Sequence, residues 1–245
     1  QNPEQQDLRN WMVQNPQRIH LGRVGLVLKK KNGSIASLGD LQTPEQVLDL
    51  WSGISTSTFS VSSEPVTVTT IGHPSKDAIA VRIKSRKVAE GSIGIFIDFP
   101  YASLHEFGNG ADWEKPDKHQ TNETVNGRQA CFQRTMDDTR YDVRMSWDQQ
   151  VDFKKIKGHR YELMPVTKSD EICFIVCFDK EKDQSPLPTF AQTEQESIKH
   201  WADYWQSGGA IDLSESKDPR WKELERRIVL SQYIMAVNEA GSLPP

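Results

Sequence analysis

Cysteine is scarce. Three in 245 residues are too few for a disulfide framework. Cys173 and Cys177 share the stretch EICFIVCFD, a continuous apolar run of strand type. With a two-residue period both point to one face, about 13 Å apart at roughly 3.3 Å per residue. That is too far for a mutual disulfide or a shared metal, so they read, like Cys131, as buried thiols. No run approaches the ~20 apolar residues of a membrane-spanning helix. Basic blocks are missing too: 30 Lys and Arg against 34 Asp and Glu leave a net charge of −4, without the electrostatic footprint of a nucleic-acid binder. A G-x-S-x-G nucleophile elbow is absent. GNG and SGG lack the strand and lysine of a phosphate loop. The opening QNPEQQDLRN has neither a charged n-region nor an apolar h-region. It reads as a start without a signal segment or as a mature end after removal of one. The second option points to a periplasmic or secreted protein, with a cytoplasmic one still open.

What is present changes character along the chain. From about residue 20 to 178 the signal is strand. GRVGLVLKK and GSIASL flank KNG, a hairpin cue. TSTFSV, PVTVTTI, AIAVRIKS, SIGIFIDF, RQACFQRTM, RYDVRMSW, HRYELMPV and EICFIVCF follow, each rich in β-branched or aromatic residues. In AIAVRIKS, Ile79, Val81 and Ile83 alternate with small or polar residues, as in a half-buried strand. About ten strands with turn residues between them predict a mainly β chain, a sandwich of antiparallel sheets. Two helices are predicted at the front. DLRNWMVQNP ends at Pro16. TPEQVLDLWSG has Thr43 as N-cap, Pro44 in the first turn, Gln46 completing a capping box and Gly53 as the stop, with Leu48 and Trp51 docking it on a sheet.

Beyond the polar DKEKDQSPLPTF the period becomes helical, placing a domain boundary near residue 190: 1–190 as sandwich, 191–245 as helices. TEQESIKHWADYWQSGG opens on a capping box from Thr193 to Glu196 and closes at Gly208-Gly209, with Ile198, Trp201, Ala202 and Trp205 as its apolar stripe. DPRWKELERRIVLSQYIMAVNEAG is capped by Asp218, with Trp221, Leu224, Ile228 and Ile234 inside. Val229, Leu230, Tyr233 and Val237 widen its apolar surface to more than half the circumference. A helix of this kind needs neighbours on several sides.

The richest chemistry lies in residues 99–128, read as one long loop. Loops beyond about 12–15 residues are usually functional or disordered. This one holds His105, Glu106, Asp112, Trp113, Glu114, Asp117 and His119. Trp113 offers a face to a pyranose ring, Asp112 and Asp117 can accept hydroxyl hydrogens, and His105 and His119 complete a carbohydrate-binding set. The competing reading is a solvated loop whose Trp packs locally. A metal set from His105, Asp112, Asp117 and His119 has no diagnostic spacing, so no metal or cofactor is expected. His73, before Pro74, reads as a turn residue. Asp137-Asp138 reads as a turn and Glu223 and Glu225 as a solvated helix face, so no catalytic acid can be named.

The strand-rich region with DFPY and DWEKPDKHQT, followed by HWADYWQSGGAIDLSESKDPRWKELERRIVLSQYIMAVNEAGSLPP, resembles bacterial six-hairpin glycoside hydrolases, nearest in layout to glycoside hydrolase family 65. The resemblance implies an N-terminal supersandwich of galactose-mutarotase type, a helical linker, then an (α/α) barrel that carries the catalytic Glu. It therefore implies that the chain is the non-catalytic N-terminal part of a glycosidase or phosphorylase. Its partners would be a glycoside or oligosaccharide and the missing barrel of the same polypeptide. Two rivals stand beside it: a free-standing carbohydrate-binding module, and a small aldose-epimerase-like enzyme using His105 or His119 with Glu106 or Glu114.

Overall fold

A computed structural model describes residues 3–14, 19–103, 110–180 and 185–241. The chain runs α1 (Pro3–Gln14), β1 (Arg23–Leu28), β2 (Leu41–Asp49), β3 (Ile54–Val61), β4 (Glu64–Gly72), β5 (Ala78–Lys84) and the one-turn α2 (Arg86–Ala89). It continues through β6 (Ile93–Asp98), β7 (Tyr101–Ala102), β8 (Ala111–Asp112), β9 (His119–Asn126), β10 (Gln129–Met136) and β11 (Thr139–Trp147). Last come β12 (Val151–Lys157), β13 (Arg160–Pro165), β14 (Glu171–Asp179), α3 (Phe190–Tyr204) and α4 (Trp221–Asn238). Two large antiparallel sheets form, ordered β1-β6-β13-β12 and β2-β3-β4-β5-β14-β11-β10-β9. The predicted antiparallel, mainly β fold is what the chain adopts.

The main core brings together Ile93, Ile95 and Ile97 of β6, Leu163 of β13, and Ile83, Phe132, Val143, Met145 and Ile172 of the larger sheet. A second apolar cluster joins Ile71, Ala78, Ala80, Ile175 and Cys177 to Phe190 of α3. This explains why EICFIVCF is apolar without alternation: Ile172, Phe174 and Val176 enter the main core while Ile175 and Cys177 lie under α3, so the strand is covered on both faces. It also refines β5. The small residues Ala78 and Ala80, which alternate with Ile79 and Val81, do not face water; they are buried in the cluster with Phe190 of α3.

Helix α3 is keyed to the sheet by directional contacts. Trp205 Nε1 donates to Leu50 O at 2.8 Å, Ser197 Oγ donates to Ser52 O at 2.9 Å, and His73 Nε2 lies 3.2 Å from Glu196. His73 is thus a turn residue that also anchors the helix. The helix begins earlier than predicted. Thr189 and Gln192 form the capping box, and Thr193 is fully buried. The buried stripe is Phe190, Thr193, Ser197 and Trp201; Ile198 is exposed. Gly208, at φ 114°, closes the helix as expected.

Four other expectations are corrected. TPEQVLDL is strand β2, paired with β3 across a bulge between Gln42 and Glu45. It is an edge strand, where Pro44 can lack its N–H without breaking a ladder, and Thr43 takes φ 45°. Leu48 and Trp51, expected to dock a helix on a sheet, are exposed, Trp51 at 51%. GSIASL contributes only an isolated bridge, Lys29 to Ile35; β1 pairs with β6 instead. Finally, α4 buries no residue. Leu224 and Ile234, expected inside, are exposed, as is Met235 at 57%. The helix meets α3 through Tyr233, whose ring lies 4.7 Å from that of Trp201 at a tilt of 32°, and through Tyr204 Oη donating to Gln232 O.

None of the three cysteines is in a disulfide, and of the expected buried thiols only Cys177 is buried; Cys131 and Cys173 are partly exposed. Burial first, then neighbouring carboxylates, push Cys173 up to about 12 and Cys177 up to about 11. Neither supplies a thiolate at neutral pH.

Candidate functional site

Residues 99–128 are not one loop. The segment contains β7 and β8, paired with each other, a one-turn helix at Pro116–Lys118, and the whole of β9, which pairs with β10 from His119 to Asn126. Its polar composition suits a strand on a sheet edge. A cavity of about 460 Å³ opens where this segment meets one end of the smaller sheet. That volume suits a small ligand.

Four predicted or weighed residues meet there: Asp112, Trp113, Glu114 and His119. Asp117 is exposed on the Pro116–Lys118 turn and does not line the cavity. His105 and Glu106 lie outside the described residues. The remaining chemistry comes from Asp98 of DFPY and from residues that no motif marked: Arg23, Lys157, His159 and Arg160. Among the described residues no group of three His, Cys, Asp or Glu is arranged to hold a metal.

Beneath the cavity lies Arg134, 1% exposed. Its Nη1 donates to Gln120 O at 2.8 Å and to Thr121 Oγ1, its Nη2 to Pro100 O at 3.3 Å, and its Nε to Tyr141 Oη at 3.4 Å. Nη2 also lies 2.5 Å from His119 Nδ1. All these partners are neutral. Arginine has donors only, so His119 Nδ1 must accept and the ring carries its proton on Nε2.

The same logic fixes His159. Its Nε2 lies 2.8 Å from Pro116 O, a pure acceptor, so Nε2 donates. Nδ1 then accepts from Thr121 Oγ1, 2.7 Å away. Arg134, Thr121, His159 and Pro116 form one directional chain that ties the rim of the cavity to its floor. The two imidazoles lie with centroids 3.8 Å apart, tilted by 31°.

Burial, then His159 and Arg134, holds His119 down at about 4; burial likewise lowers His159. Both rings are neutral at pH 7. In the unfolded chain such rings titrate near 6.5, so between 6.5 and about 4 the unfolded state binds more protons. Stability is therefore complete above pH 6.5 and falls as the pH drops toward 4. The unfolding free energy from urea titrations should fall by on the order of 2 kcal/mol between pH 7 and pH 4.5, and the fall should shrink in His119→Gln.

The walls are charged. Arg23 Nη2 and Arg160 Nη1 approach Asp98 Oδ2 at 3.4 and 3.8 Å, and Arg160 also grips Glu162 at 2.9 Å. Arg23 lies over the Trp113 ring, 4.3 Å from its centroid, which holds the indole by a cation–π contact. Trp113 keeps 36% of its surface exposed. Asp112 is bridged to Lys115 at 2.9 Å and accepts from Glu114 N. The Lys115 bond first, then the backbone bond, holds its carboxyl below the usual range.

No protein-family model matches the sequence, and no curated protein matches it. Solved structures similar in fold include the following two. A protein described as a kojibiose phosphorylase, from the human microbiome, aligns with a TM-score of 0.59 at 14% identity, over 89% of this chain and 31% of its own. A bacterial glucoamylase in complex with acarbose aligns with a TM-score of 0.56 at 7% identity, over 89% of this chain and 35% of its own. The chain spans about a third of the length of each. At these identities the likeness is one of fold, and this chain shares its fold with a stretch of each of those two proteins.

Proposed function

We propose that this chain is the sandwich domain and helical linker (1–190 and 191–245) of a glycoside hydrolase or phosphorylase, itself non-catalytic. It would brace an α/α barrel of the same polypeptide and lend the Asp112–Trp113–Glu114 rim to a sugar site. The observation that carries this reading is a fold likeness that covers nearly the whole chain yet only about a third of either enzyme. The open surface of α4 supports it, since a helix with so broad an apolar surface and no buried residue is stabilised by further packing. In the complete protein, an acid on the barrel would protonate the glycosidic oxygen while water or phosphate attacks the sugar.

The cavity lends some weight to the aldose-epimerase rival, because two histidines line it. Their chemistry argues against that role. His159 has both nitrogens engaged and His119 is held at about 4, which makes it a poor base near neutral pH. The purified 245-residue chain is expected to cleave no α-linked disaccharide, with or without phosphate, and to leave sugar mutarotation at its spontaneous rate. Turnover in either assay would overturn the non-catalytic assignment.

A further inference from the structure

The polarity of the cavity says more than that a sugar could enter. His119 is 6% exposed. Its Nδ1 is turned to Arg134, which does not line the cavity, whereas His119 does. Among the described residues no hydrogen bond engages Nε2, so a fixed N–H donor stands at the floor without an acceptor. Arg134 behind it has no carboxylate partner among the described residues. A cationic donor polarises the ring it bonds, so the floor favours an anionic acceptor. Around the walls Arg23, Lys157 and Arg160 balance Asp98, Asp112 and Glu114. Arg134 is therefore the charge that tips the site positive. At the mouth, Asp112 and Glu114 can accept from hydroxyls and Trp113 offers an apolar face.

We propose that this cavity binds an anionic sugar, its carboxylate or phosphate accepting from His119 Nε2 and its ring and hydroxyls meeting Trp113, Asp112 and Glu114. The inference takes the sugar from the reading above and adds the charge. It concerns a site within the sandwich, so it can be tested on this chain alone.

The test is a calorimetric titration of the 245-residue chain with glucuronate, glucose 6-phosphate, inorganic phosphate and glucose. In parallel, the ring resonances of His119 and His159 are followed by NMR. At least one anionic sugar is expected to saturate the site and shift the His119 ring, with glucose binding at least tenfold more weakly. The stronger of glucuronate and glucose 6-phosphate identifies the anionic group. Lys157→Gln, at an exposed position on the cavity wall, should weaken that binding severalfold without changing the melting temperature. Equal binding of glucose would sink the anionic assignment and leave the sugar rim intact. Inorganic phosphate binding as well as the sugars would sink the sugar assignment, and no saturation by either anionic sugar below about 10 mM would sink the site.

Discussion

Arg134→Met is expected to destabilise the chain by about 3 kcal/mol, or on the order of 10 °C in melting temperature for a chain of this size. Two effects oppose each other. Removing a buried guanidinium relieves its desolvation, which costs several kcal/mol for an ion taken out of water. Against that, the substitution strips donors from Gln120 O, Pro100 O, Thr121, Tyr141 and His119 at once. Each buried group left unpaired costs roughly 1–3 kcal/mol, so the second effect wins. Arg134→Lys keeps the charge but not the planar fork, and should fall between the two. A melting temperature unchanged in Arg134→Met would show that the network does not hold the floor of the cavity.

Gly53→Ala is the second large effect, and it reports on how the helices are attached. Gly53 has φ 69°, a left-handed conformation costing a Cβ-bearing residue about 1–2 kcal/mol. The added methyl would also intrude on the Trp201 indole, inside van der Waals contact. Trp201 has little room to yield: Trp205, Tyr204 and Tyr233 pack around it. The expected loss is about 3 kcal/mol, together with a red-shifted tryptophan emission as Trp201 and Trp205 become wet. Since Ser52 O and Leu50 O, on the same turn, accept from Ser197 and Trp205, α3 should loosen while the two sheets persist. Unchanged emission and an unchanged urea midpoint would mean that α3 is not seated on this turn.

The strands of the two large sheets that sequence reading missed share a physical position. β2, β9 and β12 are all edge strands. An edge strand is paired on one side and partly wet, so it can be polar and still form; HQTNETVN and VDFKKIK carry too little apolar alternation to declare themselves. β2 was more deceptive, because Thr43, Pro44 and Gln46 mimic a helix start. What decided there was pairing with β3, a cross-strand term that the pattern of one segment does not contain. Interior strands were legible because covered faces demand apolar residues. β14, covered on both, was the plainest.

The cavity was half legible for the same reason. Asp112, Trp113 and His119 stood out as chemistry in a polar stretch. His159 lies in KGHR, 40 residues from His119 in sequence, and only the antiparallel closure of the sheets brings the two rings together. Arg134 did leave a trace. Ala130, Phe132, Arg134 and Met136 are the inward positions of β10, so the two-residue period places a cation inside a core, where it must find acceptors. Nothing in the period says which acceptors, or that a cavity lies above them.

Expressing the complete open reading frame that contains these 245 residues, and assaying it beside the 245-residue chain on α-linked disaccharides with and without phosphate, tests the division of labour most directly. The expected result is cleavage or phosphorolysis by the complete product and none by the shorter chain. Glycoside turnover by the 245-residue chain alone, or a complete product with no turnover and no helical domain, would contradict it.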